Sequence, residues 1–189
     1  MFRRCSTRRG VGSMVRFLAI SGSLRSASSN SRLLQAAAAV APAGVDIIRY
    51  ERLGSLPHFN PEVEARGLPA EVAELRGLVA QTDAIIISSP EYAHGVPGSL
   101  KNALDWLVSG VELPGKPVAL FIASPTSTYV REALVEILTT MSARVILEAT
   151  VTLPIGARQL DVAGMLADGG IATALRAGLS ALAAVASSG

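Results

Sequence analysis

The sequence of 189 residues contains one cysteine, Cys5, and only two histidines, His58 and His94. No intrachain disulfide can form, so a reducing, cytoplasmic location is expected. With so few thiols and imidazoles, the chain has no Cys/His cluster of metal-ligand spacing, which argues against a zinc site. Apolar residues make up half of the chain, but none of their runs reaches the roughly 18 residues of a membrane span. We therefore expect no membrane partner.

Lysine is also scarce, since Lys101 and Lys116 are the only two, and the net charge of +2 rests on arginine. Outside the N-terminus, no basic run carries interleaved aromatic residues, which argues against a nucleic-acid partner. The slight positive excess suits small anionic ligands. The chain lacks a Gly-x-Ser-x-Gly elbow as well, and this argues against a serine hydrolase.

Residues 1–13 are rich in arginine, contain no acidic residue and show no hydrophobic pattern. We expect a disordered tail there. We interpret it as an extended start rather than a targeting signal, because Met14 opens a clean strand pattern. Residues 14–189 are predicted to form a single domain.

From Met14 onward, short apolar runs alternate with segments of helical spacing. The pattern predicts strands at 15–20, 45–50, 84–88, 117–123 and 145–152, and helices at 30–41, 69–81, 98–108, 128–141 and 170–185. Nearly continuous apolar strands between helices indicate a parallel sheet covered on both faces. The predicted fold class is therefore α/β, a three-layer sandwich with a five-stranded parallel sheet of order 2-1-3-4-5. Ligands of such sheets bind beyond the carboxyl ends of strands 1 and 3, where the strand order reverses.

The loop after the first strand is rich in small polar residues. Ser23, Ser28 and Ser31 offer hydroxyl donors, Arg25 adds a charge-assisted contact, and Asn30 is expected to cap the following helix. The loop has neither a Gly-x-Gly-x-x-Gly turn nor a Gly-x-x-x-x-Gly-Lys-Ser/Thr pattern, which disfavours dinucleotide binding of the Rossmann kind and nucleotide hydrolysis. A terminal phosphate, as on flavin mononucleotide (FMN), fits better. An ordinary Ser-rich loop with a helix cap is the alternative.

Turn-forming residues fill the loop after the third strand. The pattern indicates a binding site for a flat aromatic ligand in this loop. Tyr92 can supply an apolar face, Gly95 allows close approach, and the loop N–H groups can reach the polar edge of a flavin. Glu91 and His94 permit a second interpretation as an acid/base pair. Because no third partner is evident, we favour for His94 a positioning role or a place in the wall of a second-substrate site. A plain strand-to-helix connection is the remaining alternative.

Two motifs in these loops carry a family resemblance. The first contains Gly22-Ser23-Leu24-Arg25, Ser28 and Asn30; the second contains Pro90-Glu91-Tyr92, Pro97-Gly98, Leu100-Lys101-Asn102-Ala103 and Asp105-Trp106. Together they resemble the NADPH-dependent FMN reductase family, which has a flavodoxin-like fold and includes quinone, azo-dye and chromate reductases. The similarity runs over about residues 15–152. Members commonly carry Asn and Ser where this chain has Ala93 and Gly95, and a Gly-rich loop where Pro125 stands, so we expect weaker FMN binding than is typical.

The resemblance implies two groups of site residues. The FMN phosphate would be held by the first loop, through Ser23, Leu24, Arg25, Ser28, Asn30 and Ser31, and the flavin ring would be bordered by Pro90, Glu91, Tyr92, His94, Gly95 and Ser124. No catalytic side chain and no metal ligand are expected.

The activity implied by the resemblance is that of an FMN-dependent NAD(P)H oxidoreductase. Hydride would pass from NADPH or NADH to FMN, and electrons would then pass to a small-molecule acceptor (a flavin, quinone, azo compound or chromate) with ping-pong kinetics. A homodimer or homotetramer is also implied. Two alternatives stay open at this point: a flavin-binding electron carrier, and a non-catalytic interaction domain of the same fold.

Overall fold

The computed structural model describes residues 14–188, and the predicted tail at 1–13 lies outside the described residues. Within that range it contains six strands: β1 Val15–Ser21, β2 Val45–Tyr50, β3 Ala84–Ser88, β4 Pro117–Ile122, β5 Arg144–Val145 and β6 Val151–Thr152. All of the strand pairs are parallel. The order β2-β1-β3-β4-β5, with β6 also beside β4, confirms the predicted topology.

Helices connect the strands on both sides of the sheet. Within residues 14–188 they are α1 Ser29–Ala39, α2 Pro61–Arg66, α3 Ala70–Gln81, α4 Gly98–Asp105, α5 Thr128–Thr140, α6 Ile155–Arg158, α7 Val162–Ala167 and α8 Gly169–Ala186. The sequence pattern predicted the five longer connections to within a few residues. It gave the short α2, α6 and α7 as loop, because four to six residues carry too little periodicity to be recognised.

Side chains of the central strands alternate between two hydrophobic cores, as the two-residue period of a strand requires. Leu18 and Ile85 point toward the core that α3, α4 and α5 cover. Phe17 and Ile86 point toward the other core, which α1 and α8 cover. The sheet is therefore buried on both faces, and the carboxyl ends of its strands are left to form a site.

The predicted last strand at 145–152 is wrong in one respect, since the structure divides it into β5 and β6. Between them Leu147–Ala149 form a single turn of 3-10 helix, and Leu147 is 65% exposed. The Thr150 hydroxyl donates to the Ile146 carbonyl at 3.2 Å. Such a local bond competes with the strand ladder and interrupts an otherwise β-favouring run.

Helix α8 is long and apolar enough to cross a membrane by length and composition alone. Core helices of globular proteins pass the same test, and Leu175, Leu179 and Leu182 of α8 are fully buried against the sheet. The helix also carries Arg176.

Candidate functional site

The loops after β1 and β3 are held together at the carboxyl edge of the sheet. The Gly22 N–H donates to the Ser88 carbonyl at 2.8 Å, and the Ser88 hydroxyl donates to Asn30 Oδ1 at 2.9 Å. A Cβ at Gly22 would lie 2.7 Å from Ser89 Oγ and 3.0 Å from a methyl carbon of Leu100. Glycine at position 22 therefore allows the two loops to approach closely without displacing the Ser89 and Leu100 side chains.

A cleft of about 730 Å³ opens above this junction. It is lined by eight of the predicted site residues, Ser23, Arg25, Ser28, Asn30, Pro90, Glu91, Tyr92 and Ser124. Four others lie elsewhere: Leu24 and Ser31 line a neighbouring cavity, and His94 and Gly95 belong to a turn beyond the rim.

The start of α1 corrects one prediction. Ser28, not Asn30, is the N-cap residue, and its hydroxyl oxygen accepts from the Asn30 N–H at 3.2 Å. Asn30 lies one residue inside the helix, where its buried side chain accepts from Ser88 and ties α1 to β3. Two polar residues that both favour caps compete here, and the one with extended backbone geometry takes the position.

Backbone N–H groups remain available at this helix start. Those of Ser29 and Ser31 have no protein acceptor within residues 14–188. Arg25 and Arg32 also line the cleft, and neither forms an ion pair with another described residue. Free N–H groups at a helix N-terminus beside unpaired guanidinium groups form a site for an anion.

Several hydroxyl groups of the same loop brace it from inside. The Ser21 and Ser31 hydroxyls lie 2.9 Å apart, and Ser23 Oγ accepts from the Arg25 N–H at 3.3 Å. These bonds fix the turn, and the Ser21–Ser31 contact uses one hydroxyl proton. Ser23 only accepts, so its O–H group can still donate to a ligand together with the backbone N–H groups and the arginines of the loop.

Glu91 has a structural partner. Its carboxylate accepts from the Val130 N–H at 3.1 Å, in the first turn of α5. The residue before that helix, Ser127, makes no side-chain cap bond, so Glu91 supplies the negative group at the helix start. A carboxylate engaged in this way supports the positioning of the loop rather than an acid/base pair with His94.

The loop after β3 continues into a tight turn at its tip. Tyr92 and Gly95 exchange backbone hydrogen bonds at 3.2 and 2.9 Å. Between them Ala93 and His94 have φ values of +49° and +56°, as in a type I′ turn. Because the N–H of each residue donates to the carbonyl of the other, Tyr92 and Gly95 do not offer these N–H groups to a flavin edge, as the sequence interpretation supposed for the loop.

The imidazole of His94 stacks on the ring of Tyr129. The ring centroids are 4.1 Å apart and the planes lie within 15° of parallel. Tyr129 is the second residue of α5, so the stack and the Glu91 contact both connect the turn to that helix.

The sequence interpretation missed part of the cleft lining. Ala27, Ser29, Arg32, Ser89, Ala123, Ser127, Gly156 and Gln159 also line it. Gly156 and Gln159 follow β6, and the Gly156 N–H donates to the Ala123 carbonyl at 3.0 Å. The signal available was topological, since every loop after a parallel strand reaches the same edge of the sheet.

Comparison with known proteins agrees with this geometry. A family model described as NADPH-dependent FMN reductase matches residues 15–158. The chain belongs to the NADPH-dependent FMN reductase family.

Individual members of the FMN reductase family are similar to this chain over part of their length. An NAD(P)H-dependent FMN reductase of Pseudomonas aeruginosa is 40% identical over 112 residues, which are 58% of this chain and 60% of the relative. A quinone reductase of Escherichia coli K12 is 36% identical over 106 residues, 54% of this chain and 56% of the relative. The chain thus spans less than two thirds of these curated relatives.

Solved structures support the flavodoxin-like fold. The flavoenzyme NAD(P)H:(acceptor) oxidoreductase of Paracoccus denitrificans superposes with a TM-score of 0.78 at 24% identity, covering 92% of this chain and 96% of that one. At this identity the likeness concerns the fold alone.

Beside the main cleft, this reductase-family chain has a second cavity of about 520 Å³. It shares Ser23 and Arg25 with the first, and its other side is formed by Tyr50 and the segment after β2. A Cβ at Gly54 would lie 3.2 Å from Leu24, so the Leu24 side chain reaches across to that segment and away from the main cleft. Burial, followed by the nearby Glu74 carboxylate, raises the pKa of Tyr50 to about 12.

Proposed function

We propose that the chain is an FMN-dependent NAD(P)H oxidoreductase that reduces a small-molecule electron acceptor. The observation that carries the proposal is one cleft in which the N-terminus of α1 meets the loop after β3, beside Arg25 and Arg32, which form no ion pair with another described residue. The first part suits a phosphate and the second a flat ring, and FMN has one of each at its two ends.

The residues present fit the phosphate end of FMN. The N–H groups of Ser29 and Ser31 point from the first turn of a helix, where an anion is favoured by the helix dipole. Arg25 and Arg32 would add charge-assisted contacts to the phosphate oxygens.

The ring end offers fewer side-chain donors. Pro90, Tyr92 and Ser124 line the cleft there, and Pro125 has no N–H to donate. The Thr126 and Ser127 N–H groups are used within their own loop, at 3.4 Å to Ser124 Oγ and 3.1 Å to the Ser124 carbonyl. These features support the expectation that FMN binds more weakly here than in members with a Gly-rich loop.

When bound, FMN supplies the redox chemistry, taking a hydride from NADPH or NADH and passing two electrons to the acceptor. The chain itself orients the ring and the substrates. Glu91 is engaged with α5, and no other described carboxylate lines the cleft, so no side-chain acid or base is assigned. Both substrates would use the main cleft in turn, which gives ping-pong kinetics, and a homodimer or homotetramer is part of the proposal.

Absorbance spectra test the proposal directly. The purified protein is titrated with FMN until the flavin spectrum stops changing, and NADPH is then added without oxygen. The visible bands of bound flavin should shift on binding and be lost within seconds of NADPH addition. A flavin spectrum that the protein does not change would contradict the proposal, and binding without reduction would indicate an electron carrier instead.

Arg25→Ala localises the phosphate end in the same experiment. A charge-assisted contact is worth about 1.5–3 kcal/mol, so the dissociation constant of FMN should rise by about tenfold or more. Arg66→Ala is the matched control, since the Arg66 side chain is 78% exposed and, among the described residues, pairs with Glu62 on its own helix. Equal affinity of the Arg25→Ala variant and wild type would remove Arg25 from the phosphate site.

A further inference from the structure

Gln159 lines the main cleft, and none of the FMN contacts proposed above includes it. It follows the last residue of α6 and lies one position beyond the segment that matches the family model. The residue is exposed, and its side chain forms no hydrogen bond with another described residue. A carboxamide with two N–H donors and a carbonyl acceptor is therefore available in the wall of the cleft.

The backbone at Gln159 has a conformation that glutamine disfavours. Its φ and ψ values are +48° and +34°, in the left-handed region, where a helix usually ends on glycine or asparagine. Since the side chain has no hydrogen bond to another described residue that would offset this cost, glycine would suit the fold better at this position. Unfavourable backbone geometry at the wall of a cleft is typical of a functional position.

The short helix that carries Gln159 is attached to its neighbours at both ends. At its start, the Gly156 N–H donates to the Ala123 carbonyl at 3.0 Å, which connects α6 to the end of β4. At its end, Arg158 forms an ion pair with Asp168 at 2.8 Å, and Asp168 is the N-cap residue of α8. The position of Gln159 in the cleft is therefore fixed by the fold.

The loop after β4 offers few donors to a ligand in the same cleft. Pro125 has no N–H group, and the Thr126 and Ser127 N–H groups bond within the loop. The Ser124 hydroxyl lies 2.8 Å from the Thr126 hydroxyl. Helix α6 contacts α1 and is bonded to the end of β4, so Gln159 lies between the proposed phosphate end and the proposed ring end.

We infer that the Gln159 carboxamide binds the ribityl phosphate part of FMN and so positions the flavin, and this inference rests on the proposed function. Ribityl hydroxyl groups both donate and accept hydrogen bonds, and a carboxamide offers both kinds of group in return. The loop after β6 thereby becomes a third binding element, beside the loops after β1 and β3 that carry the sequence motifs. Gln159 acts on the position of the cofactor and takes no part in electron transfer.

Gln159→Gly tests the inference with two measurements that should move in opposite directions. The variant loses the carboxamide, so the dissociation constant of FMN, from titration of the flavin spectrum, should rise about two- to tenfold, the worth of one neutral hydrogen bond. The urea midpoint of the protein without FMN should rise as well, because glycine relieves the backbone strain. A residue with a purely structural role would not weaken FMN binding while its replacement stabilises the protein.

Two further variants separate the amide contact from other effects. Gln159→Glu keeps the size of the side chain, loses its N–H donors and adds a negative charge near the phosphate. It should weaken FMN binding more than Gln159→Gly does, and added salt should reduce the difference between the two. Gln81→Gly is the matched control, since Gln81 is the exposed last residue of α3 and precedes β3. It should keep the wild-type dissociation constant and lower the urea midpoint.

Two results would overturn the inference while leaving the proposed function intact. One is a wild-type dissociation constant for FMN in Gln159→Gly or in Gln159→Glu. The other is weaker FMN binding together with a lower urea midpoint in Gln159→Gly, because damage to the fold would then explain both. A flavin spectrum that the wild-type protein does not change would instead contradict the proposed function itself.

Discussion

Ala93 occupies a backbone conformation that its side chain disfavours. With φ at +49° it sits at the first central position of a turn that is usually Asn-Gly. The left-handed region costs a non-glycine residue about 1–2 kcal/mol, so the turn survives because its two backbone bonds and the His94 stack favour it. The sequence predicts that Ala93 lacks a polar contact to the flavin that Asn makes in other family members. The structure shows in addition that Ala93 has an unfavourable backbone conformation.

Ala93→Gly should therefore stabilise the protein. Glycine relieves the strain but loses more entropy on folding, and the net gain in free energy of unfolding should be about 0.5–1 kcal/mol. Urea unfolding at constant m-value measures it. The same change at exposed Ala184 in α8 is the matched control and should cost about 1 kcal/mol. A loss of stability in both variants would show that Ala93 carries no strain.

At the scale of elements, the junction between the β1 and β3 loops depends on Gly22. Ala at this position would place a methyl group 2.7 Å from Ser89 Oγ and 3.0 Å from Leu100. The Ser89 and Leu100 side chains would have to shift, or the two loops would have to separate and move the helix start away from the ring site.

Gly22→Ala should lower the free energy of unfolding by about 1–3 kcal/mol, the usual cost of overpacking. FMN affinity should fall as well, because the two halves of the site move apart. Calorimetric titration with FMN and urea unfolding measure the two effects. Gly169→Ala is the control, since nothing lies within 4 Å of a Cβ there and Ala is the better helix residue. Similar behaviour of the two variants would refute the close-approach role.

Glu91 connects a second pair of elements, the β3 loop and α5. Its carboxylate accepts from Val130 N–H at the helix start, where a negative charge is favoured. The residue stands in the Pro-Glu-Tyr motif, and the motif alone cannot tell a ligand contact from a helix-capping contact. The distance to Val130 supplies the distinction.

We expect Glu91→Ala to cost about 1 kcal/mol of stability and to raise the KM for NADPH, because the loop loses its attachment to α5. Glu91→Gln keeps an acceptor oxygen and should restore most of both. A pH–rate profile separates this role from acid/base catalysis, since a positioning residue leaves the profile of the Gln variant unchanged in shape. Loss of activity in the Gln variant as complete as in the Ala variant would favour catalysis.

At the scale of the whole molecule, the sequence predicts the fold better than the site. The strands at 45–50 and 84–88 have the predicted bounds, and the strand order is confirmed. Buried parallel strands can be recognised by continuous apolar runs, because both faces of each strand must be covered. The prediction of one continuous strand at 145–152 is wrong because the Thr150 hydroxyl donates to a nearby backbone carbonyl, and a pattern of apolar residues does not reveal such a bond.

The site assignment from sequence stays a prediction, and its weaknesses have a common physical cause. A motif names residue types but not the direction of their hydrogen bonds. Asn102 stands in the second motif, yet its side chain accepts from the Phe59 N–H at 2.7 Å and donates to the Pro57 carbonyl at 2.9 Å, which anchors the loop after β2. Ser31 and Leu24 face the neighbouring cavity for a similar reason, because tertiary contacts decide where each side chain goes.

Stability toward alkali is a property of the whole molecule that depends on Tyr50. This side chain is 5% exposed, and its hydroxyl has no hydrogen-bond partner among the described residues. Burial raises its pKa to about 12, with the Glu74 carboxylate contributing in the same direction. An unfolded tyrosine titrates near about 10. Between these two values the folded state keeps a proton that the unfolded state releases, so the free energy of unfolding falls as the pH rises.

The Tyr50→Phe variant should lose this dependence. Wild type should lose up to about 2 kcal/mol between pH 9 and pH 12 through Tyr50, and the variant should lose correspondingly less over the same range. At neutral pH the variant should be equal to wild type or about 1 kcal/mol more stable, because a buried hydroxyl without a partner is removed. Urea unfolding at a series of pH values measures both, with Tyr129→Phe as the exposed control. Parallel loss of stability in wild type and Tyr50→Phe would show that Tyr50 titrates alike in the folded and unfolded states.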